Sequence, residues 1–528
     1  MEKDHPSDIH PQTSPTKTAA LHNLGCKVNA YETEAMEQLL RDAGYEIVPF
    51  DTRADVYVIN TCSVTNMADR KSRQMLSRAR KRNPQAVVVA VGCYVQTAHD
   101  RSHLQVDADI LIGNNKKKDL VEILETYFAE HEPAHTEIED VNSGSAHSKI
   151  KDVNSGSAHT EIEDVNRGSA HSEIEDINRE HTYENLQISR TCEHTRAFIK
   201  VQDGCNQFCS YCIIPYARGR IRSRKSSDVL EEVARLTAIG VKEIVLTGIH
   251  LSSYGQDWNR GRQETYAGTL PDMQPVREPG GEVVGSSENS ESAENLLTLI
   301  QAVASVRGVL RIRLGSLEPG IITEDLARSL QKIPQFCPHF HLSLQSGCDA
   351  VLQRMNRRYT TAAYERACEL LREVFDNPAL TTDEIVGFPG ESEEEFAATK
   401  AYLEKLGLYE THIFKYSRRA GTKAASMPDQ ISEETKRLRS DALIALGRKN
   451  KHAFIRAWDG KCSEVLFEEA CEIDGETYYT GYTKEYIRVY TRANARANAS
   501  GKEEEDLTNH VLTGILDCRD PERVMLVL

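Results

Sequence analysis

Three cysteines within eight residues constrain this chain more than any other feature of its sequence. They are Cys205, Cys209 and Cys212, and the run begins where an apolar segment, 197–201, ends. A structural zinc site usually takes four ligands in two separated pairs, whereas a cubane iron–sulfur cluster held by three cysteines leaves one iron open to a substrate. The C-x₃-C-x₂-C spacing therefore favours a cluster with an open iron, and the simpler alternative is a disulfide or a zinc knuckle.

The length and composition indicate a large protein of about three domains. The chain has 528 residues, of which 39% are hydrophobic, which is enough for ordinary cores. Residues 1–18 are polar and lack the apolar stretch of a signal peptide, and the longest apolar run, 86–91, is too short to cross a bilayer. Because the cytosol keeps thiols reduced, thirteen cysteines in such a chain are expected to be free thiols or cluster ligands. We expect a cytoplasmic protein with no membrane partner and a disordered tail over 1–18.

The net charge of −16 does not exclude an RNA partner. Residues 129–185 carry 14 acidic and 4 basic side chains, and residues 256–294 carry 8 acidic and 3 basic ones. These two segments hold −15 of the charge, so the rest of the chain is close to neutral. It includes a basic run with seven positive charges in thirteen residues, in which the candidate RNA contacts are Arg70, Lys71 and Arg73. The alternative for this run is a solvated helix face.

Residues 19–128 alternate short apolar runs with helical stretches. This βα rhythm predicts a doubly wound parallel sheet. Cys26, Cys62 and Cys93, which we name the N-terminal triad, each stand just after a predicted strand. Because the carboxyl ends of neighbouring parallel strands meet at one edge of a sheet, we predict that the three thiols form a second cluster site there. The alternative for each cysteine is a buried small hydrophobic residue.

A 12-residue repeat follows this first domain. Its copies begin at Ala134, Ala146, Ala158 and Ala170, and they are polar and mostly acidic. A period this short, with one or two aliphatic residues per unit, cannot build a packed core. We predict a linker over 129–189 that carries no ligand set and can lose whole units without loss of chemistry.

Residues 190–456 contain six alternating strand and helix units. They predict a partial (β/α)₆ barrel, whose reactive side is the carboxyl end of its strands. The loop with Cys205, Cys209 and Cys212, which we name the barrel triad, follows the first strand, and an acidic insertion, 256–294, interrupts the second unit. Other motifs at predicted strand ends point to the same cavity, since glycines there let the backbone approach a ligand. The candidate cofactor-binding residues of this cavity are Tyr211, Gly248, Ser316, Glu318, Gln345, Gly387 and Gly390.

Residues 457–528 hold five short alternating segments with turn residues between them. They predict a small, partly open β-barrel of the oligonucleotide-binding type. Tyrosines with basic residues between them can stack on bases and pair with phosphates. The candidate RNA contacts are Tyr482, Lys484 and Arg488, although strand propensity alone also explains many tyrosines.

The three predicted domains, in this order, resemble those of the radical S-adenosylmethionine (SAM) methylthiotransferases over nearly the whole chain. The resemblance rests on the C-x₃-C-x₂-C run with Tyr211 before its third cysteine, and on three further segments. These are Gly-Cys-Lys-Val-Asn at 25–29, Asn-Thr-Cys-Ser-Val-Thr-Asn at 60–66 and Ala-Asp-Arg-Lys-Ser-Arg-Gln at 68–74. The sequences of these segments are similar to those of the subfamily that acts on N6-threonylcarbamoyladenosine (t6A) in tRNA, beside the anticodon. Ala30, where that subfamily commonly has Gln, and the repeat array depart from its pattern.

The resemblance implies two [4Fe–4S] clusters and two SAM molecules per turnover. The barrel triad would hold the cluster that cleaves SAM to a 5′-deoxyadenosyl radical, and the N-terminal triad would hold an auxiliary cluster that supplies sulfur. An adenine C2–H bond offers no acidic proton, so a cofactor must supply the radical. The C-terminal domain would be an RNA-binding TRAM domain, and the partners would be tRNA and an electron donor such as flavodoxin or ferredoxin.

Three alternatives stay open. The second cluster could serve only electron transfer. The substrate could be isopentenyladenosine in tRNA or a ribosomal protein, as in related radical-SAM methylthiotransferases. The chain could also be a zinc-bearing RNA-binding protein without enzymatic activity.

Overall fold

The computed structural model describes residues 16–99, 106–131, 170–191, 195–258, 294–493 and 506–528. Most of the predicted N-terminal tail, linker and acidic insertion lies outside these described residues, at 1–15, 132–169 and 259–293. Within the described ranges, no helix combines the length and the apolar character that crossing a membrane would require.

The N-terminal domain is a parallel sheet with helices on both faces. Its strands are β1 (Thr18–Asn23), β2 (Glu46–Ile47), β3 (Val56–Thr61), β4 (Val87–Gly92), β5 (Ile110–Ile112) and β6 (His171–Glu173), in the order β2-β1-β3-β4-β5-β6. Its helices are α1 (Lys27–Asp42), α2 (Asn66–Arg82), α3 (Cys93–His99) and α4 (Leu120–His131). Every residue of β3 and β4 is buried, as expected for strands covered on both faces. The predicted doubly wound sheet is confirmed.

The sixth strand corrects the predicted linker. β6 lies in the fourth copy of the repeat and pairs in parallel with β5. The chain then runs to the central domain, and Ile177, Leu186 and Ile188 on this path are each at most 2% exposed. A three-residue strand carries too little pattern to be predicted, and it forms because the free edge of β5 supplies hydrogen-bond partners. The predicted linker therefore ends before residue 170 rather than at 189.

The central domain is an open barrel of six parallel strands. They are β7 (Arg196–Asp203), β9 (Glu243–Gly248), β10 (Arg311–Leu314), β11 (His339–His341), β12 (Ala379–Val386) and β13 (Glu410–Lys415). A parallel bridge between Leu317 and Leu342 joins the β10-β9-β7 sheet to the β11-β12-β13 sheet. A short strand, β8 (Arg222–Ser223), runs antiparallel to β7. The predicted partial barrel is confirmed.

Helices surround this barrel, and most of them share one core with it. They are α5 (Ile214–Arg218), α6 (Ser226–Ala238), α7 (Leu296–Ala304), α8 (Glu324–Gln331), α9 (Asp349–Arg354), α10 (Thr361–Val374), α11 (Glu393–Leu406) and α12 (Glu433–Arg456). The side chains of Asn295, Thr323 and Ser392 cap α7, α8 and α11 by accepting backbone hydrogen bonds. The core also includes Tyr31 and Ala35 of α1, so the N-terminal domain contributes to it directly.

The C-terminal domain is a closed barrel of five strands. They are β14 (Cys462–Ile473), β15 (Glu476–Thr483), β16 (Arg488–Arg492), β17 (Val511–Asp517) and β18 (Val524–Val527), in the order β14-β15-β16-β18-β17. The closure corrects the partly open barrel that the sequence predicts, because β16 pairs in parallel with β18 and completes the ring. A β-bulge in β14 between Phe467 and Glu469 adds the curvature that closure needs.

The fourth repeat copy is structural, and the third copy offers a matched control. We expect Ile177→Ala to lower the free energy of unfolding by about 2–5 kcal/mol, because it removes buried methyl groups between the sheet and the barrel. Val165→Ala changes the equivalent position of the third copy, in the predicted linker, and should change that free energy by less than about 0.5 kcal/mol. Urea unfolding measures both variants. Equal losses of stability would contradict the distinction between the two copies.

Candidate active site

The N-terminal triad lies at the carboxyl edge of the first sheet. Cys26 is the N-cap of α1, Cys62 follows β3 and Cys93 begins α3. A Cβ atom at Gly25 would lie 3.0 Å from Cys62 Sγ, so the loop of Cys26 passes directly against Cys62. Burial, and next the proximity of Cys93, raise the pKa of Cys62 to about 11. The structure thus brings together the three cysteines that we predicted to meet at the carboxyl ends of the parallel strands.

Two buried amides frame this triad. Asn29 Oδ1 lies 3.9 Å from Cys26 Sγ, and Asn29 Nδ2 donates to backbone carbonyls at the ends of β1 and β3. Asn114 Nδ2 lies 3.6 Å from Cys93 Sγ and donates to a carbonyl of α5 at 2.7 Å. These contacts fix the triad loops to each other and to the barrel. No sequence pattern pointed to Asn114, which lies in a short loop after β5.

A buried ion network borders the triad where the N-terminal domain meets the barrel. Glu32 of α1 is fully buried and lies 2.7 Å from Arg218 Nη1 and 2.7 Å from Lys200 Nζ, both of the barrel. Lys117, from the N-terminal domain, lies 3.4 Å from the same carboxylate. Burial alone would raise the pKa of Glu32, but these cations hold it well below its usual range. Glu32 is therefore a charged link between the two domains.

The barrel triad lies in the loop between β7 and α5, at the carboxyl end of the first barrel strand. Gly204 opens this loop with a φ of 71°, and a Cβ there would lie 1.8 Å from the Arg220 carbonyl oxygen, so no larger residue fits. Cys209 is buried, and Cys205 and Cys212 are partly buried. Burial raises the pKa of Cys205 to about 11 and that of Cys212 to about 12. Metal binding must therefore displace a proton from each of these two thiols.

Arg357 is the charged partner of the barrel triad. Its Nη1 lies 3.1 Å from Cys209 Sγ, and its Nη2 lies 2.7 Å from Glu318 Oε1. Its Nε donates to the Tyr359 hydroxyl at 2.9 Å. A guanidinium beside a thiolate stabilises the charged sulfur, so this contact suits a cluster ligand. The sequence analysis missed Arg357 because it follows α9, far from the cysteines along the chain.

Two of the predicted cavity residues lie next to the barrel triad. Tyr211 is within the triad loop, and its ring packs edge to face on Phe388 with centroids 6.5 Å apart. Glu318 reaches the triad through Arg357, and its Oε1 lies 3.7 Å from His250 Nε2. Burial lowers the pKa of His250, so its ring is neutral at pH 7. Glu318 therefore lies between Arg357 and His250, beside the triad.

The other five predicted cavity residues lie at the ends of barrel strands. Ser316 is exposed after β10, and Gln345, after β11, has a left-handed backbone with a φ of 73°. Gly248 ends β9, while Gly387 and Gly390 follow β12. A Cβ at Gly248 or Gly387 would lie 2.9 or 2.3 Å from a neighbouring side chain. Packing against neighbouring side chains therefore explains why these two positions are glycine, and no ligand is needed to explain them.

The donor chemistry of both triads fits iron–sulfur clusters. Each triad offers three soft thiol ligands beside buried cations, which suits anionic cluster thiolates. Among the residues that the structure describes, no three His, Cys, Asp or Glu side chains gather around the position of a single ion. The cysteines of a cubane bind different iron atoms, so they need not converge on one point.

The predicted RNA contacts on α2 are exposed, and two of the three line a basic groove. Arg70, Lys71 and Arg73 all lie on the outer face of this helix. The groove, of about 610 Å³, is lined by Arg70, Arg73, Gln74, Ser77, Arg78 and Lys81. A second groove of about 680 Å³ lies along residues 418–426 of the barrel. Asn66, at the start of α2, donates to the Arg418 carbonyl, so α2 contacts the segment that lines the second groove.

Two of the three predicted RNA contacts in the C-terminal domain face the barrel instead of solvent. Tyr482 stacks on Tyr486 with centroids 4.5 Å apart, and the Arg196 guanidinium lies over both rings. Lys484 Nζ donates to a carbonyl of the barrel at 3.0 Å. The sequence could not reveal this because strand alternation does not say which face meets another domain. Arg488 is exposed.

This C-terminal domain packs on the amino ends of the barrel strands. Glu243, at the start of β9, lies 3.3 Å from Arg196 Nε and 2.9 Å from Arg313 Nε. Arg313 Nη1 also donates to the Lys484 carbonyl. Burial opposes the charge on Glu243, but these arginines lower its pKa to about 2. The C-terminal domain is therefore on the side of the barrel opposite the barrel triad.

Comparison with known proteins assigns the chain to a family. Residues 18–113 match a family described as uncharacterized protein family UPF0004, and residues 199–403 match the radical SAM superfamily. The chain is 35% identical over 472 residues to threonylcarbamoyladenosine tRNA methylthiotransferase MtaB of Bacillus subtilis (strain 168), which covers 89% of both proteins. The chain belongs to the radical-SAM methylthiotransferase family.

Two further relatives support this assignment. MtaB of Aquifex aeolicus (strain VF5) is 34% identical over 87% of this chain and 95% of its own length. The tRNA-2-methylthio-N(6)-dimethylallyladenosine synthase of Acetivibrio thermocellus is 29% identical over 90% of this chain and 85% of its own. A radical-SAM methylthiotransferase uses SAM and a [4Fe–4S] cluster, and the barrel triad lies within the matched radical SAM region. Membership favours an enzyme over the zinc-bearing alternative.

Arg357 offers a test of the barrel site in this methylthiotransferase. We expect Arg357→Gln to slow SAM cleavage by about tenfold or more, because the positive charge and the hydrogen bond at Cys209 are lost. Arg358→Gln changes the adjacent exposed arginine and should stay within about twofold of wild type. Chromatography of 5′-deoxyadenosine measures the rate, and iron analysis confirms equal cluster content. A wild-type rate for Arg357→Gln would show that the contact is unimportant for the reaction.

Proposed function

We propose that the protein converts t6A in tRNA, beside the anticodon, to its 2-methylthio derivative. The observation that carries this proposal is the 35% identity, over 89% of the chain, with a relative named for t6A. Relatives named for dimethylallyladenosine are 29% and 30% identical. The sequence of residues 60–66, around Cys62, also resembles that of the t6A subfamily, and isopentenyladenosine enzymes usually carry other residues after this cysteine.

We also propose that the N-terminal triad holds a second [4Fe–4S] cluster. Three thiols at one sheet edge, two framing amides and an adjoining buried cation support this site. The reaction further needs an electron donor such as flavodoxin or ferredoxin. A reducing compartment such as the cytoplasm suits such clusters and free thiols.

The two clusters and SAM, when bound, supply the radical that removes the adenine C2 hydrogen and the sulfur and methyl group that replace it. The residues of the chain hold and orient these groups. Arg357 stabilises the Cys209 thiolate and fixes the carboxylate of Glu318 at 2.7 Å. Glu318 can then accept hydrogen bonds from the ammonium or hydroxyl groups of SAM. Tyr211, packed on Phe388, closes one side of the triad loop and excludes water from it.

The outer face of α2 is the proposed tRNA surface. In the described part of the chain, Arg70, Lys71 and Arg78 form no ion pair with a carboxylate, so their charges are available for phosphates. α2 begins four residues after Cys62, so this surface starts beside the N-terminal triad. The C-terminal closed barrel acts as a TRAM-like RNA-binding domain through outward residues such as Arg488.

Nucleoside mass spectrometry tests the substrate. In a strain that lacks this gene, we expect 2-methylthio-t6A to disappear from tRNA and to return with the wild-type chain. The 2-methylthio derivative of isopentenyladenosine should stay unchanged and serves as the internal control. Loss of that derivative, with 2-methylthio-t6A retained, would assign the protein to the other substrate.

The two triads should fail in different ways. The Cys26, Cys62 and Cys93 triple Ala variant should keep about four iron atoms per chain and form 5′-deoxyadenosine, yet attach no methylthio group. Cys209→Ala should instead stop SAM cleavage. Retained methylthiolation in the triple variant would make those cysteines structural thiols. Loss of SAM cleavage in a folded triple variant would indicate that the cluster of the N-terminal triad relays electrons.

The α2 surface should control tRNA affinity. We expect the triple variant Arg70→Gln, Arg73→Gln, Arg78→Gln to bind tRNA about tenfold or more weakly at physiological salt. The slope of log affinity against log salt should fall by about two, because two to three phosphate contacts are lost. Filter binding at several salt concentrations measures both quantities.

A control triple variant has the same change in net charge. It replaces Arg235, Arg328 and Arg437 by Gln; each of these surface arginines lies within one turn of a glutamate partner on α6, α8 or α12. Its affinity should stay within about twofold of wild type. Equal weakening in both triple variants would show that net charge, and not the α2 surface, governs binding.

A further inference from the structure

The ion network between the N-terminal domain and the barrel carries more positive than negative charge. Its cations and carboxylates are Lys117, Lys200, Arg218, Arg222, Glu32 and Asp203, each at most 4% exposed. Glu184 also interacts electrostatically with Lys200 from a greater distance. When Glu184 is counted, the network has four cations and three carboxylates. Buried charge is costly unless it is paired, so a further anion is expected here.

Arg218 is the cation of this network that stands beside the N-terminal triad. Its Nη2 donates to Asn29 Oδ1 at 2.6 Å, and Cys26 Sγ lies 3.9 Å from the same oxygen atom. The guanidinium and the thiol therefore share one neighbour. Burial opposes the charge on Arg218, but Cys93 and two carboxylates raise its pKa well above the ordinary value. Arg218 Nε is buried without a hydrogen-bond partner in the described chain.

Arg218 is also connected to the barrel triad through the backbone. It is the last residue of α5, which begins two residues after Cys212. The carbonyl of Gly219 accepts the Cys205 backbone N–H at 3.0 Å and closes the segment into a loop. At a rise of about 1.5 Å per helical residue, α5 spans only about 6 Å along its axis from Ile214 to Arg218. One short segment thus carries all three cysteines of the barrel triad and the cation beside the N-terminal triad.

We propose that Arg218 is a positioning residue of the auxiliary site, whose positive charge, supplied from the barrel, stabilises the thiolates of the N-terminal triad and fixes that triad relative to the barrel triad. This inference rests on the proposed second cluster. Reduction adds negative charge to an iron–sulfur cluster, so a nearby cation favours the reduced form. Removal of the cation should therefore lower the midpoint potential of the auxiliary cluster.

The test uses the full chain with Cys205, Cys209 and Cys212 replaced by Ala, so that only the auxiliary site can hold iron. Arg218→Gln and Arg218→Lys are introduced in this background and reconstituted anaerobically. We expect Arg218→Gln to lower the midpoint potential by about 59 mV or more, a tenfold change in a one-electron equilibrium. Arg218→Lys keeps the charge and should lose less than half of that shift. Redox titration followed by electron paramagnetic resonance measures the potential.

Arg224→Gln is the matched control at the same interface. Arg224 is buried like Arg218, and it contacts Tyr31 of α1 and Glu232 of α6. Its contacts in the described chain include none of the three cysteines of the N-terminal triad. The variant perturbs the domain interface but should leave the midpoint potential of the auxiliary cluster unchanged.

The possible results separate this inference from the proposed function. A folded background protein that binds no iron overturns the second cluster itself. About four iron atoms per chain, with one midpoint potential for wild type and Arg218→Gln, overturn the role of Arg218 alone. Loss of iron in Arg218→Gln but not in Arg224→Gln supports the positioning role. Equal loss of iron in both variants overturns it, because Arg218 would then be one interface residue among others.

Discussion

The buried carboxylate of Glu32 determines how the two catalytic domains fit together. It lies on α1 and contacts Lys117 of its own domain and Lys200 and Arg218 of the barrel. Loss of one partner from such a buried pair typically costs about 3–5 kcal/mol, because it leaves an uncompensated charge. Cys26 is the N-cap of α1, so the contact that joins the domains also orients the N-terminal triad toward α5. This group therefore contributes to the relative position of the two cysteine sites.

α1 is suited to this position because it is buried on two sides. Tyr31 and Ala35 lie in the core of the barrel, whereas Met36 and Leu40 lie in the core of the N-terminal sheet. An ordinary surface helix has one apolar stripe, and its sequence predicts one packing partner. The second partner of α1 is bound mostly through polar groups, such as Glu32 and the Tyr31 hydroxyl, which periodicity does not detect. Hydrophobic periodicity therefore does not predict this domain interface.

The sequence predicted those features of the site that follow from local spacing or from topology. C-x₃-C-x₂-C is a local pattern, and parallel sheets place strand ends at one edge, so both triads could be located before the structure was known. Arg357 and Arg218 could not, because Arg357 reaches Cys209, and Arg218 reaches Asn29 beside Cys26, across fold contacts that no local pattern records. The same holds for β6 and for the ring closure by β16 and β18, where only two or three residues pair.

The surroundings of the N-terminal triad also favour sulfur transfer over simple electron transfer. An electron relay needs only proximity to the barrel triad, whereas a cluster that gives sulfur to RNA must also be within reach of that RNA. Cys62 and Cys93 are buried, but Cys26 is exposed, so one side of the triad is open to a large substrate. The open side adjoins α2, which begins four residues beyond Cys62 and whose basic residues begin at Arg70. A buried cation on the barrel side and a basic surface on the outer side are what a site needs if it must stay anchored while it meets RNA.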